Sequence, residues 1–182
     1  MNLFFLSDDP QMCAEWAVDS HCVKMILESA QLLSTAHRLL DGVQYIDASS
    51  GRKIKRWRLP DSRDNILYAA THVNHPCAVW VRTNQNNYAW AWQYLKEHCD
   101  EYTHRYGKIH KVESSGLLKA LDPIPENIHI SEGRTIPPSA MDPKYIISPL
   151  FPMDNYRNYY KYGKAHLHKW KNRQPPEWIK EA

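Results

Sequence analysis

The sequence predicts an all-α fold: a single compact helical domain over residues 1–182, with a long proline-rich irregular segment and at most one minor hairpin. Three observations favour this fold. Apolar residues recur at helical spacing in two long stretches, 10–40 and 87–106. No stretch shows the alternation of apolar and polar residues that is typical of strands, and no internal repeat is visible. The length suits one domain with a real core.

Capping residues set the helix boundaries. Asp9 and Pro10 suit the N-cap and the first turn of a helix, and Asp41-Gly42 ends a helix or helix pair that runs to about Leu40. A clear later helix, 87–106, closes at a glycine. The remaining predicted elements are an exposed loop or short hairpin over 45–59, helices over 62–71, 76–81 and 155–171, and the proline-rich segment 122–152.

Composition excludes several classes of protein. The net charge is only +3, so any contact with nucleic acid depends on a local basic patch. The four cysteines lack metal-finger spacing, and no signal peptide or membrane-length apolar run is present. Nucleotide-binding glycine loops and the serine-hydrolase motif are also absent. We expect a cytoplasmic protein with reduced thiols, no cofactor and no membrane partner.

Residues 19–31 carry the most informative pattern. His21, Lys24, Glu28 and Gln31 are three or four residues apart, so they share one narrow stripe of a strongly apolar helix. One interpretation is the solvated face of an amphipathic helix. The other is an acid/base edge that lines a cleft, with Glu28 tuned by its apolar neighbours. The spacing alone does not decide between them.

The hexapeptide T-H-V-N-H-P at 71–76 places His72 and His75 beside an asparagine, just before a proline turn. A metal site would need further ligands, and ten histidines in one chain make such coincidences common. We therefore expect no tightly bound metal. The two histidines then cap or bridge helices, or one of them contacts substrate.

Basic and aromatic residues interleave in two segments. Cations neutralise phosphates and aromatic rings stack on bases, so this pattern is typical of nucleic-acid surfaces. In the second segment Arg157 and Tyr160 belong to a run of tyrosines and lysines, and the alternative there is a helix whose tyrosines enter the core. In the first, five cations surround Trp57, namely Arg52, Lys53, Lys55, Arg56 and Arg58.

The order of these landmarks resembles the pyrimidine-dimer DNA glycosylases of the phage endonuclease V type. The resemblance rests on the start M-N-L-F-F-L, on D-x-H-x6-E formed by Asp19, His21 and Glu28, on His75, on the stretch 80–82, and on the closing N-R-Q-P-P-E-W. It implies a compact all-α fold, a functional N-terminus, and Glu28 as the catalytic glutamate. The chain more closely resembles a group of small uncharacterised phage-encoded proteins that share T-H-x-N-H-P, E-Y-T-H-R-Y-G-K-x-H-K and Y-R-N-Y-Y.

Three departures from the glycosylase pattern bear on the chemistry. In that family, removal of the initiator Met exposes the α-amine of a small residue, which attacks the sugar. Here Asn2 is too large for efficient removal, so the amine belongs to Met1. Leu27 and Gln31 replace arginines that grip DNA, and Leu3 replaces a basic residue. DNA contacts are then expected from the other basic segments.

The sequence therefore predicts a DNA-acting enzyme, a base N-glycosylase with Glu28, His21 and Met1 as catalytic residues and with weaker support for strand scission. Two alternatives stay open: an enzyme that acts on a nucleotide or modified base, and a non-enzymatic phage accessory protein that binds a host partner. A concave pocket around Glu28 would favour an enzyme. The expected substrate contacts are Lys24, Gln31, His75, Arg82, Trp57, Arg157 and Tyr160.

Overall fold

The structure is a computed structural model, and it describes residues 1–180. It is 51% helical with one small two-stranded antiparallel sheet, so the mostly helical fold is confirmed, whereas a purely all-α fold is not. Residues 181–182 of the predicted domain lie outside the described residues. The helices and strands are α1 (Pro10–Trp16), α2 (Asp19–Asp41), β1 (Val43–Asp47), β2 (Ile54–Arg58), α3 (Arg63–Ile66), α4 (Pro76–Val81), α5 (Gln85–Tyr106), α6 (Lys111–Ser114), α7 (Leu117–Ala120), α8 (Pro152–Asn158) and α9 (Glu177–Lys180).

The start of α1 and the ends of α2 and α5 agree with the sequence prediction, whereas α5 begins at Gln85, before the predicted start at 87. The Asp9 side chain caps α1 by accepting a hydrogen bond from the Gln11 amide at 2.9 Å. Helix α2 ends at Gly42, whose N–H donates to the Arg38 carbonyl. Helix α5 ends at Gly107, with φ +63°, a left-handed conformation that glycine adopts without steric cost.

The core forms between α2 and α5, with α1 packed on α5 and α4 packed on α2. The apolar N-terminal residues Leu3, Phe4, Phe5 and Leu6 are all buried in this core. Burial of these apolar side chains stabilises the fold by roughly 25 cal/mol for each Å² of apolar surface removed from water. The N-terminal amine is consequently held against the folded body of the protein.

The segment from 45 to 59, predicted as a loop or a short hairpin, is a hairpin. Strands β1 and β2 pair antiparallel, with Gln44 opposite Trp57. The hairpin is anchored to α2 because the buried Arg38 guanidinium donates to the Trp57 carbonyl at 2.8 Å and to Asp64 at 2.7 Å. Beyond it, residues 67–75 run back along α2 towards its start.

Two predicted helices are shorter in the structure. The helix predicted over 62–71 is only the single turn of α3, because residues 67–75 continue as an extended segment that bonds to α2. The helix predicted over 155–171 ends at Asn158 and continues as a π-helical turn, 159–163. Gly163 packs so closely on Tyr159 and Tyr145 that a Cβ there would lie 2.5 Å and 2.7 Å from their rings. The proline-rich segment 122–152 is irregular, as predicted, apart from one short 3₁₀ turn.

Within residues 1–180, no helix combines the length and the apolar character needed to cross a membrane.

Candidate active site at the N-terminus

The N-terminal amine of Met1 lies beside the carboxylate of Glu28. The amine nitrogen is 3.6 Å from Oε2 of Glu28, and the Asn2 amide donates a hydrogen bond to the same oxygen at 2.8 Å. The Lys24 ammonium lies 3.3 Å from the other oxygen, Oε1. Both carboxylate oxygens therefore face positive charge or an N–H donor.

The side chain of Met1 is buried, whereas its main-chain atoms are partly exposed. The side chain is only 2% exposed, whereas the residue as a whole is half-buried, so the remaining exposure lies on main-chain atoms. The Glu28 side chain is 10% exposed, and Lys24 beside it is 65% exposed. Exposed ion pairs contribute little to stability, so the Lys24 side chain can leave Glu28 at small cost.

Asn2 holds the backbone at this point through its side chain. Its Oδ1 accepts hydrogen bonds from the Leu3 amide at 2.8 Å and from the Tyr156 hydroxyl at 2.7 Å, and its Nδ2 donates to the Ala140 carbonyl at 2.9 Å. Cys77 lies 3.6 Å from the same Oδ1, and burial raises the pKa of its thiol to about 11, so it stays protonated. Sequence reasoning missed this anchor because its partners lie up to 154 residues away.

The turn at 72–75 brings histidine to the same site. The His75 amide donates to the His72 carbonyl, and His75 caps α4 by accepting from the Cys77 amide. Burial, followed by the charges of the N-terminal ammonium and of His72, lowers the pKa of His75, whereas Glu28 raises it. His72 has φ +48°, which is uncommon for a residue with a side chain and is found often at functional sites.

His21 does not join Glu28, which lies seven residues, or about 10 Å, further along α2. It is buried, its ring stacks on Phe4 with a centroid distance of 4.1 Å, and its Nδ1 lies 2.6 Å from the Tyr160 hydroxyl. Burial lowers the pKa of His21 to about 3. Tyr160 is 0% exposed, so it cannot stack on a base. The structure thus gives both residues packing roles, which contradicts a catalytic His21 and a substrate-stacking Tyr160.

The solvated-face interpretation of the α2 stripe is also wrong, because His21 and Glu28 are both buried. The exposed residues near Lys24 include two apolar ones, Val23 and Leu27, at 39% and 42%. Gln31, half-buried, lies one turn beyond Glu28. Along the stripe, the buried His21 and Glu28 thus lie on either side of the exposed Lys24.

The remaining predicted contact residues lie at three other places. Arg82 donates to the Val73 carbonyl at 2.7 Å and so supports the histidine turn. Trp57 lies on β2, half-buried, beside a cavity of about 200 Å³. Arg157 lies between Trp16 and Trp178, and its Nε donates to the Leu6 carbonyl. Of the predicted set, Met1 and Lys24 contact Glu28, and His75 lies near enough to interact with the charges of the N-terminal amine and of Glu28.

The N-terminal amine, the Glu28 carboxylate and the His75 imidazole are groups that can take part in amine chemistry. An α-amine is a nucleophile when it is unprotonated, and a carboxylate in contact with it can accept its proton. His75 Nδ1 accepts the Cys77 amide hydrogen, which leaves Nε2 without a hydrogen-bond partner in the described part of the chain. Amine, carboxylate and imidazole thus lie at one half-open surface.

Residues 1–180 contain no group of three His, Cys, Asp or Glu side chains placed to bind a metal ion. Comparison with protein-family models, with curated proteins and with solved structures finds no match for this chain.

Proposed function

We propose that this protein is a DNA-acting enzyme that cleaves base–sugar bonds, with the amine of Met1 as nucleophile and Glu28 as the acid/base group. The observation that supports this proposal most directly is the 3.6 Å distance between the amine and the Glu28 carboxylate. The sequence resemblance gives the same two groups for this chemistry, although it was based on motif order and not on distances. His21 takes no part in the proposed reaction.

In the proposed reaction the amine nitrogen attacks C1′ of a deoxyribose. The bond from C1′ to the base nitrogen breaks, and the base leaves with the bonding electrons and takes up a proton. Glu28 accepts the proton that the ammonium loses before attack and returns it to O4′ as the sugar ring opens to an imine. Hydrolysis of the imine frees the amine and leaves an abasic sugar.

We propose that the hairpin formed by β1 and β2 contacts the DNA strand. Arg52, Lys53, Lys55 and Arg58 are exposed there. From Glu28 to Gly42, where the hairpin begins, α2 spans about 21 Å, the length of about six base pairs. In this proposal a single bound duplex therefore reaches both Glu28 and the hairpin. The extended segment 67–75 connects them along α2, through the bond of Arg38 to Tyr68 and that of Thr35 to Thr71.

Reduction of the imine with borohydride tests the proposal. The protein is incubated with a duplex that contains one abasic site and is then reduced, and peptide mass spectrometry identifies the cross-linked residue. We expect the cross-link on the α-amine of Met1. Base release from UV-irradiated and undamaged duplex is measured in parallel. The absence of both a cross-link and base release would contradict the proposal.

Glu28→Gln removes the carboxylate with almost no change in volume. We expect it to lower the rate of cross-linking at least about 100-fold, the usual contribution of a general acid/base group, while the circular dichroism spectrum stays unchanged. Glu97→Gln on α5 is the matched control, since Glu97 also lies beside a lysine, Lys96, at 3.7 Å. Equal rates in both variants would remove Glu28 from the mechanism.

A further inference from the structure

A second cavity lies away from Glu28, where the C-terminal segment meets α1 and α8. It has a volume of about 510 Å³ and is lined by Trp16, Arg157, Trp178 and the residues between 174 and 177. Its walls are two indole rings and two prolines, together with the Gln174 amide and the Glu177 carboxylate, and the Arg157 guanidinium lies beside both indoles. Pockets of this size and composition are common for small ligands.

Arg157 is held in place but its charge is not neutralised. Its Nε donates to the Leu6 carbonyl at 3.0 Å, and its guanidinium carbon lies 5.2 Å from the Trp16 ring and 5.7 Å from the Trp178 ring. Within residues 1–180, Nη1 and Nη2 have no hydrogen-bond partner and no carboxylate lies within 4 Å of the group. The side chain is half-buried.

Arg134 is a useful comparison, because its guanidinium has an anionic partner. Its guanidinium also lies over two aromatic rings, 5.4 Å from Phe5 and 5.5 Å from Trp90. However, it pairs with Asp8 at 2.9 Å. Arg157 has the same stacking without the anion. A fixed guanidinium fork with free N–H groups binds phosphate or carboxylate in bidentate geometry.

We propose that this cavity binds a nucleoside monophosphate unit, with the phosphate on Nη1 and Nη2 of Arg157 and the base against the indoles of Trp16 and Trp178. A phosphate alone would leave most of the volume empty, and the flat apolar walls suit an aromatic ring. A nucleotide combines an aromatic ring with an anion, the two groups that the indoles and Arg157 would contact. The unit is either a free nucleotide or one nucleotide of a DNA strand.

Calorimetric titration tests the proposal. The titrants are thymidine 5′-monophosphate, thymidine, inorganic phosphate and a 5′-phosphorylated oligothymidylate. We expect the mononucleotide to bind at least about tenfold more tightly than thymidine or phosphate, because each of these has only one of the two groups. Tighter binding of the oligonucleotide assigns the site to a strand, and equal or weaker binding assigns it to a free nucleotide.

Variants locate the binding in the cavity. Arg157→Gln and Trp178→Leu should each weaken mononucleotide binding at least about tenfold. Trp178 is half-buried on the single-turn helix α9, so Trp178→Leu keeps the test valid if Arg157→Gln fails to fold. Arg134→Gln is the matched control and should bind normally. Glu28→Gln should also bind normally, which separates this site from the proposed active site.

Three results would overturn the proposal: no binding of mononucleotide or oligonucleotide, thymidine binding as tightly as its monophosphate, or unchanged affinity in both Arg157→Gln and Trp178→Leu.

Discussion

At the scale of single residues, Met1 and Asn2 together decide where the amine lies. The Met1 side chain packs against the core, and the Asn2 side chain bonds to Tyr156 and to the Ala140 carbonyl. Removal of Met1 would make the main-chain nitrogen of Asn2 the terminal amine, and that nitrogen already lies 2.8 Å from Oε2 of Glu28. A terminal amine would therefore stay beside the carboxylate.

Asn2→Ala tests this arrangement. A small second residue permits removal of Met1, so we expect an intact mass that is lower by one methionine and a cross-link that moves to the α-amine of residue 2, whose nitrogen lies 2.8 Å from Glu28. Asn2→Leu is the control for Met1 retention, because leucine is as large as asparagine. It should keep both Met1 and a cross-link on the Met1 amine, and lose only the anchoring hydrogen bonds. A cross-link on a lysine side chain in both variants would contradict the assignment of the nucleophile to the terminal amine.

At the scale of helices and strands, the sequence predicted what depends on local rules. The Asp9 cap, the Gly107 stop and the apolar periodicity of α2 and α5 are local, and all are confirmed. The π-helical turn after Asn158 is not local, because it follows from packing of Gly163 on Tyr145. The extent of the extended segment 67–75 likewise depends on bonds to α2 that sequence periodicity does not reveal.

In the candidate site, too, local rules predicted some features, whereas others depend on contacts between distant segments. Helical spacing correctly placed Lys24 beside Glu28, since residues four apart are neighbours on a helix. Spacing could not show that His21, on the same stripe, is covered by Phe4 and Tyr160, because burial depends on segments that are distant in sequence. The approach of the amine to Glu28 was expected only from the family resemblance.

The junction of α1, α2 and α5 depends on one buried arginine that periodicity did not single out. The Arg105 side chain is 0% exposed, and it donates to Glu101 at 2.6 Å, to Asp19 at 3.0 Å and to carbonyls at the end of α1. Arg105→Met should lower the free energy of unfolding by about 3–5 kcal/mol, because it leaves buried acceptors unpaired. Urea denaturation measures this loss. Arg134→Met, which breaks a surface pair, should cost about 1 kcal/mol or less, and equal losses would refute the distinction.

At the scale of the whole molecule, three buried histidines make stability depend on pH. Burial lowers the pKa of His21 to about 3 and those of His37 and His98 to about 4. Nδ1 of His37 lies 3.1 Å from the Arg63 guanidinium and 3.7 Å from the Asp41 carboxylate, and Nε2 of His98 has no hydrogen-bond partner within residues 1–180. Protonation inside the fold would therefore place a charge beside Arg63 at His37 and an unpaired charge at His98.

These shifts destabilise the protein as the pH falls. Above pH about 6.5 the histidines are neutral in both states, so they have no effect; below it only the unfolded chain takes up protons, until the folded pKa values are reached. Each histidine then removes about 1.4 kcal/mol per pH unit from the free energy of unfolding. Urea denaturation between pH about 7 and 5 measures the slope. His98→Phe should lower it by about one third, and a flat profile would contradict the burial of these groups.

The proposed association with DNA also concerns the whole molecule, because a net charge of +3 gives no general attraction and the proposal therefore assigns the contacts to the hairpin. Lys53 and Lys55 are exposed on it, and their replacement by glutamate should weaken duplex binding well over tenfold at low salt.

The slope of log affinity against log salt distinguishes charge from stacking. Each lost phosphate contact should reduce it by about 0.9 on duplex DNA, whereas Trp57→Ala should lower affinity with little change in slope, because stacking releases no counterions. Lys108→Glu with Lys111→Glu is the matched control, since both lysines are exposed beyond the far end of α5. If this control weakened binding as much as the hairpin variant, DNA would be contacting a diffuse surface. If no duplex or single strand, irradiated or not, bound at low salt, the Glu28 site would have to act on a substrate other than DNA.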